Sequence, residues 1–414
     1  MPTIAYLANQ FPSQVEPYVP AEIRELRSRG FDVIPGSARA STRLDAELES
    51  CVSETVYLQP LRPWLLVRAS WLCLWKFQRI ADLFERMLFK GIEGPGRRVR
   101  ALFHTWLGAY YALLLEGRGV EHIHVHHGYF ASWIAMVASR LLGITFSMTL
   151  HGSDLLLHKA CLDSKLQDCS FCVTVSEFNR QYILEHLPNT RPDKVIVQYL
   201  GIAPLALNSN LFATHSPASF VMLAVGRLHP VKDHSFLIRA CRQLKTKGLN
   251  FLCLIAGEGA ERTRLERLIQ DLDLQSKVRL LGHLSRHQLD SYYSLADMVV
   301  LTSQSEGIPL VLMEAMARGK VVLAPNITGI PELVLEGKTG FLYRARSFDD
   351  FVSRVEMIRE SKSVLAPVSS AAQQHVSQYF DRDKNLAAFG DVFLARMSGR
   401  ADRDPHENPI LQQI

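Results

Sequence analysis

MVVLTSQSEGIPLVLMEAMARGKVVLAPNITGIPELVLEGKTG, Met298 to Gly340, holds two carboxylates, Glu306 and Glu314, with seven residues between them across a strand, a loop and a helix. Met298 to Leu301 is a short apolar run of the buried-strand type, Thr302 to Gly307 is polar and turn-prone, and Pro309 suits a first helical turn. The helix then runs from Leu310 to Arg318 and Gly319 ends it. A helix that starts at the carboxyl end of a buried parallel strand turns unpaired N–H groups and a positive dipole end towards the crevice where phosphates bind. The N–H groups of Leu310 and Val311 are therefore candidate anion donors. Glu306 lies just ahead of them and Glu314 more than a turn inside the helix, so the two suit different hydroxyl-bearing parts of one ligand. A nucleotide sugar has that shape, with a ribose on one side of a diphosphate and a hexose on the other.

Alone, the two acids are also what an ordinary amphipathic helix with an N-terminal Glu would carry. The full run Ser305 to Ala317, S-E-G-I-P-L-V-L-M-E-A-M-A, is more specific, flanked by G-K-V-V-L-A-P and G-I-P-E-L-V-L-E-G-K-T-G-F-L. It resembles the signature of the family-four retaining glycosyltransferases, which have the GT-B fold, two Rossmann-like domains facing a central cleft. On that resemblance Glu306, Gly307, Leu310, Val311 and Glu314 bind the donor. Phe220 to Lys232, FVMLAVGRLHPVK, resembles the family's G-R-L-x-x-x-K element. Arg227 and Lys232 leave one strand end together with Gly226, and a planar fork plus a compact ammonium suit a diphosphate whose charge grows as it departs. A solvated loop charge is the plain alternative for a lone Arg. The family usually places Gly after this Lys and this chain has Asp233, an acid that would weaken donor binding if it pointed inward.

Ile255 to Ala260, IAGEGA, is not a dinucleotide fingerprint, because Arg262 stands where a third Gly should fall. In similar transferases this segment, with Gly257, and the G-H-L from Gly282 to Leu284 flank the nucleobase. Thr149 to Asp154, TLHGSD, resembles a T-x-H-G-x-D element, with His151 at a strand end to meet a sugar hydroxyl and Asp154 to orient the loop. The first loop departs from the glycine-rich turn of many members. It reads NQFPSQVEPY from Asn9 to Tyr18 and resembles the exopolysaccharide or colanic-acid-type subgroup, where Glu16 either holds an acceptor hydroxyl or caps the following helix.

At 414 residues the chain exceeds what one core usually supports. Its 46 Lys and Arg against 41 Asp and Glu give +5, too little to imply nucleic acid but compatible with an anionic membrane surface or donor. The start, MPTIAYLANQFPS, lacks the basic and long apolar regions of a secretion signal, so the expected location is cytoplasmic, with peripheral contact at the inner face of the membrane as a further option. Seven cysteines are too few for a disulfide scaffold. His158, Cys161, Cys169 and Cys172 form a nominal zinc set, but Cys172 sits in the buried-strand pattern FCVTVS and the thiols read as structural. His122, His124 and His126 would share one face of a strand; a strand leading into a loop, similar to the I-H-x-H segment of these transferases, is preferred to a metal site.

Strands and helices alternate through residues 1–203, an acceptor-side domain. Gly201 to Ser219 is almost free of charge and reads as a linker, taken as 204–219. A second alternation occupies 220–378, the nucleotide-sugar domain, then a helix within 379–398 expected to cross back to the first domain, and a loose tail over 399–414. Residues 61–115 form a helical insert rich in Trp and Arg. Arg68, Lys76 and Arg79 interrupt every candidate membrane span. The Trp64, Trp71 and Trp75 stripe is expected to pack as core in a helical pair, and an interfacial helix is the alternative.

The resemblance implies transfer of a hexose from a uridine or guanosine diphosphate sugar to a glycan or glycolipid acceptor, lipid-linked, with retention of configuration and with no metal or cofactor. His151, Arg227, Lys232 and Glu306 are its catalytic set. A GT-B sugar phosphorylase, which would carry a pyridoxal cofactor, and a non-catalytic sugar-nucleotide-binding scaffold are the alternatives.

Overall fold

A computed structural model describes residues 2–13, 16–39, 51–90, 93–157, 160–203 and 219–399. Seven parallel strands make the first sheet: β1 (Thr3–Gln10), β2 (Asp32–Arg39), β3 (Val56–Tyr57), β4 (Val120–His126), β5 (Thr145–Leu150), β6 (Cys172–Thr174) and β7 (Val195–Val197), in the order β3-β2-β1-β4-β5-β6-β7. Six more make the second: β8 (Phe220–Val225), β9 (Phe251–Ala256), β10 (Val278–Gly282), β11 (Met298–Val300), β12 (Val321–Pro325) and β13 (Phe341–Tyr343), in the order β10-β9-β8-β11-β12-β13. Apolar runs such as Phe220–Val225 and Val321–Pro325 are buried on both faces, as parallel strands covered by helices must be. Chain order reverses between β1 and β4 in one sheet and between β8 and β11 in the other, which opens a crevice at the carboxyl ends of those strands.

Among the described residues, contacts divide the chain into two units, Met1–Gln198 with 386–399, and Tyr199–Asn385. The helix Arg382–Met397 gives Phe389 and Phe393 to the first unit's core, beside Ile4, Tyr6, Val33 and Phe171. Arg29 fastens it, 2.5 Å from Asp391 and donating to the Ala387 carbonyl at 2.6 Å. Residues 204–218 of the expected linker and 400–414 of the expected tail lie outside the described residues.

The insert forms the helices Pro63–Trp75 and Pro95–Leu115, with short helical turns between them. Here the structure corrects the sequence reading. Trp64, Trp71 and Trp75 are 56, 69 and 73% exposed, so the stripe is not core. The inward face of that helix is Leu65 and Ala69, both buried, with Leu66 and Leu72 packed alongside. A helix apolar all round has two stripes, and periodicity does not say which one finds a partner.

Candidate functional site

The β8/β11 crevice collects most of the residues singled out in the second unit. Gly226 and Arg227 follow β8, a short 3-10 turn Pro230–Lys232 brings Lys232 back, and the loop after β11 carries Glu306. The Lys232 ammonium lies 2.5 Å from a Glu306 carboxylate oxygen, with both side chains largely buried. Thr302 Oγ1 ties the two loops by donating to the carbonyls of Lys232 and Asp233 at 3.0 and 3.2 Å. Arg227 is exposed, and its guanidinium makes no ion pair among the described residues. Gly257, at φ 146°, explains how the Arg227 loop is seated: a Cβ there would lie 1.9 Å from the Gly226 carbonyl oxygen.

The helix Leu310–Ala317 begins at Pro309 with no side-chain cap. Its intrahelical carbonyl partners start with Leu312, which donates to Pro309, leaving the N–H groups of Leu310 and Val311 as terminal donors. Glu314 is half-buried and accepts from the Tyr293 hydroxyl at 3.1 Å; burial and that carboxylate push the Tyr293 phenol well above its ordinary range. Leu284 is partly buried against the same core as Tyr293 and Leu310.

Asp233 takes the left-handed conformation, φ 47° and ψ 47°, which Gly would adopt without strain. Its carboxylate accepts from the Phe236 N–H at 3.2 Å and from Ser235 and Gln304 side chains. The acid therefore caps the helix His234–Thr246. Below the turn, burial lowers the His234 imidazole to about 4, so it stays neutral beside Lys232.

Sequence reasoning missed Ser303 and Ser305. Both are buried, and their hydroxyls have no partner among the described residues. Ser303 lines a cavity of about 250 Å³ with Asp233, Gln304 and Arg346. Uncharged hydroxyls in a polar loop carry no sequence signal beyond the loop itself.

In the first unit, Asp154 accepts the N–H groups of Gly128 (2.9 Å), His151 (3.1 Å), Gly152 (2.7 Å) and Leu155 (3.1 Å), which closes the loop around His151. The buried Lys165 ammonium fixes the neighbouring loop through the Gly128, Tyr129 and Ala160 carbonyls, and burial pushes it down to about 8. Glu16 Oε1 lies 2.8 Å from His127 Nε2, and the N-cap of the following helix Tyr18–Ser28 is Pro17 with no side-chain cap, so Glu16 faces His127 rather than capping. Burial opposes charge on His127, yet Asp154 and Glu16 outweigh it and raise the imidazole to about 9. His151 moves the other way, held well below its ordinary value by burial and by His127 and His126.

Behind His151 runs a chain of bonds that the sequence did not reveal. His126 Nδ1 is 2.9 Å from His151 Nε2, and His126 Nε2 is 2.8 Å from Glu22 Oε2 and 2.7 Å from the Tyr6 hydroxyl, which also bonds Glu22. Two ring nitrogens 2.9 Å apart share one proton, so the His126 and His151 rings are bonded to each other. Glu22, His124 and His126 are close enough to share a metal ion. Their nitrogens are already engaged, since His124 also bonds Ser147 at 2.8 Å and Thr149 at 3.1 Å. Burial pushes the thiols of Cys161 and Cys169 up to about 12 and raises that of Cys172 well above its ordinary range, states that disfavour thiolate ligation; His158 lies outside the described residues.

Residues 213–375 match the family described as glycosyl transferases group 1. That match falls within the second unit. The chain is 33% identical over 199 residues to the putative colanic acid biosynthesis glycosyltransferase WcaL of Salmonella typhimurium, 46% of this chain and 48% of that protein. It is 32% identical over 197 residues to the amylovoran biosynthesis glycosyltransferase AmsK of Erwinia amylovora, again 46% and 48%. The match thus spans about half the length of these relatives. Among solved structures, sucrose-phosphate synthase of Thermosynechococcus elongatus aligns with a TM-score of 0.74 at 16% identity, covering 96% of this chain and 100% of that one. Anabaena HepE in complex with UDP and glucose aligns at 0.67 and 19%, covering 95% and 100%. The fold is GT-B, and the matched residues include Arg227, Lys232, Glu306 and Glu314.

Proposed function

We propose that the chain is a retaining, metal-independent hexosyltransferase that moves a hexose from a uridine or guanosine diphosphate sugar to a lipid-linked glycan, in the biosynthesis of an exopolysaccharide or other cell-surface polysaccharide, at the cytoplasmic side of the membrane. The observation that carries this reading is the β8/β11 crevice. One exposed guanidinium and one ammonium held by Glu306 follow β8, and a helix N-terminus with terminal N–H donors follows β11 beside it. That is a diphosphate site. Arg227, Lys232 and the N–H groups of Leu310 and Val311 take up charge as the C1–O bond to the diphosphate breaks. Glu314, steadied by Tyr293, holds the ribose, and Gly257 and Leu284 lie along the base. Glu306 orients the sugar, and His151, on the first unit, is a candidate hydrogen-bond partner for a sugar hydroxyl. As the acceptor oxygen bonds to C1, its proton passes to the departing phosphate oxygen, which leaves Glu16 for acceptor placement rather than base catalysis.

The names of the relatives WcaL and AmsK support the polysaccharide assignment, and the UDP and glucose in HepE support the donor class. The test is nucleotide release from a panel of uridine and guanosine diphosphate sugars, with and without a lipid extract, using Glu314→Ala as the blank. Release with one donor, raised by lipid and abolished in the variant, is the expected result. Release that survives in a folded Glu314→Ala protein would remove Glu314 from the donor site.

A further inference from the structure

The exposed face of the insert has no counterpart in the donor chemistry. At about 100° per residue, Trp64, Val67, Trp71, Leu74 and Trp75 fall within an arc of roughly 120° on the helix Pro63–Trp75. All five are exposed. Trp106 Nε1 donates to Ser70 Oγ at 3.0 Å, which sets the helix Pro95–Leu115 alongside, and that helix continues the face with Val99 and Phe103, exposed as well. Leu88 and Phe89, on the turn between the helices, add two more exposed apolar side chains. Single exposed apolar residues are ordinary on a protein surface; five on one arc of a helix mark an interface.

Charge says what covers it. Between Leu61 and Leu107, nine Lys and Arg stand against three Asp and Glu, while the rest of the chain is balanced at 37 against 38. The chain's whole positive excess therefore lies in this insert. Arg62, Arg97 and Arg100 are exposed and make no ion pair among the described residues. Arg68 and Lys76 lie over the rings of Trp64 and Trp75, at 5.7 and 5.6 Å, so cations flank the apolar stripe at ring level. Pairing with a second copy would set two basic faces against each other. An anionic bilayer satisfies both parts, its phosphates meeting the cations and its acyl boundary receiving the indoles.

The geometry points to the insert face as a docking surface for an anionic lipid bilayer, with the helix Pro63–Trp75 lying in the plane of the membrane. No helix among the described residues is long and apolar enough to cross one. The proposal stands apart from the transferase reading, because vesicle binding needs no donor. The experiment is flotation with vesicles of phosphatidylcholine alone or mixed with phosphatidylglycerol, at low and high salt. Wild type is expected to float with the anionic vesicles only, less at high salt, with a blue shift of tryptophan emission. Trp71→Glu/Trp75→Glu and, separately, Arg97→Glu/Arg100→Glu should each weaken binding about tenfold or more. Their melting temperatures should stay at the wild-type value, since both sets of side chains are exposed. Absence of wild-type binding, or equal binding by both variants, would overturn the proposal. A wild-type dimer that Trp71→Glu/Trp75→Glu dissociates, with no vesicle binding, would overturn it in favour of self-association.

Discussion

Lys232 and Glu306 come from loops 74 residues apart in sequence and meet because strand ends meet at a topological switch point. That is why their place in one crevice was legible, though not their ion pair: each lies just after an apolar strand, and strand order does the rest. The same logic fails for Tyr6, Glu22 and His126, whose contact joins residues 16 and 120 apart through packing that no local pattern encodes. The ion pair has a consequence for mutation. With side chains 19 and 13% exposed, removing Lys232 strands a carboxylate that has lost much of its water. Lys232→Met should reduce nucleotide release by about 10²–10³-fold, the usual loss for one preorganised charge-stabilising donor. It should also destabilise the second unit by about 1–2 kcal/mol, a figure discounted for partial exposure. Lys232→Met/Glu306→Gln should regain that stability in urea unfolding without regaining activity. Recovery of activity in the double variant would make Lys232 a structural partner of Glu306 and not a phosphate ligand.

Strand and helix positions were largely legible because parallel strands buried on both faces read as continuous apolar runs and the helix ends are punctuated by residues such as Gly143 and Gly319, both at positive φ. Burial of a given helical face was not legible, as the insert's tryptophans show. Asp233 is a subtler case. In sequence it was a departure that threatened the phosphate site; in the structure it takes a left-handed conformation open to Gly and caps a helix as well. The two tasks can be separated. Asp233→Gly keeps the left-handed conformation available and loses only the cap, a change of a few tenths of a kcal/mol. Asp233→Ala loses the cap and strains a Cβ in that conformation, so about 1–3 kcal/mol is expected. Thermal melting should therefore rank wild type just above Asp233→Gly and both well above Asp233→Ala. Equal melting of the Gly and Ala variants would mean that the turn relaxes out of the left-handed region.

At the scale of the molecule, the two-unit division follows from two alternations of strand and helix, but the membership of the last helix does not follow from its place in the chain. Arg382–Met397 comes directly after the second unit and yet fills the first unit's core. Phe393 is fully buried against Phe171 and His124, with ring centroids 5.2 and 4.9 Å away. Truncating it leaves a cavity in a core whose other buried members, Phe389 apart, all precede Gln198, at a cost of about 3–5 kcal/mol. The sequence supplies a selective probe, because all five tryptophans, at 64, 71, 75, 106 and 133, belong to the first unit. Phe393→Ala should move the urea transition seen by tryptophan fluorescence to lower denaturant. A far-UV circular dichroism component from the second unit should remain near its wild-type midpoint. If both signals shifted together, the two units would unfold as one cooperative block; if neither moved, the helix would contribute contacts without stability, and the core around Ile4, Tyr6 and Val33 would be closed without it.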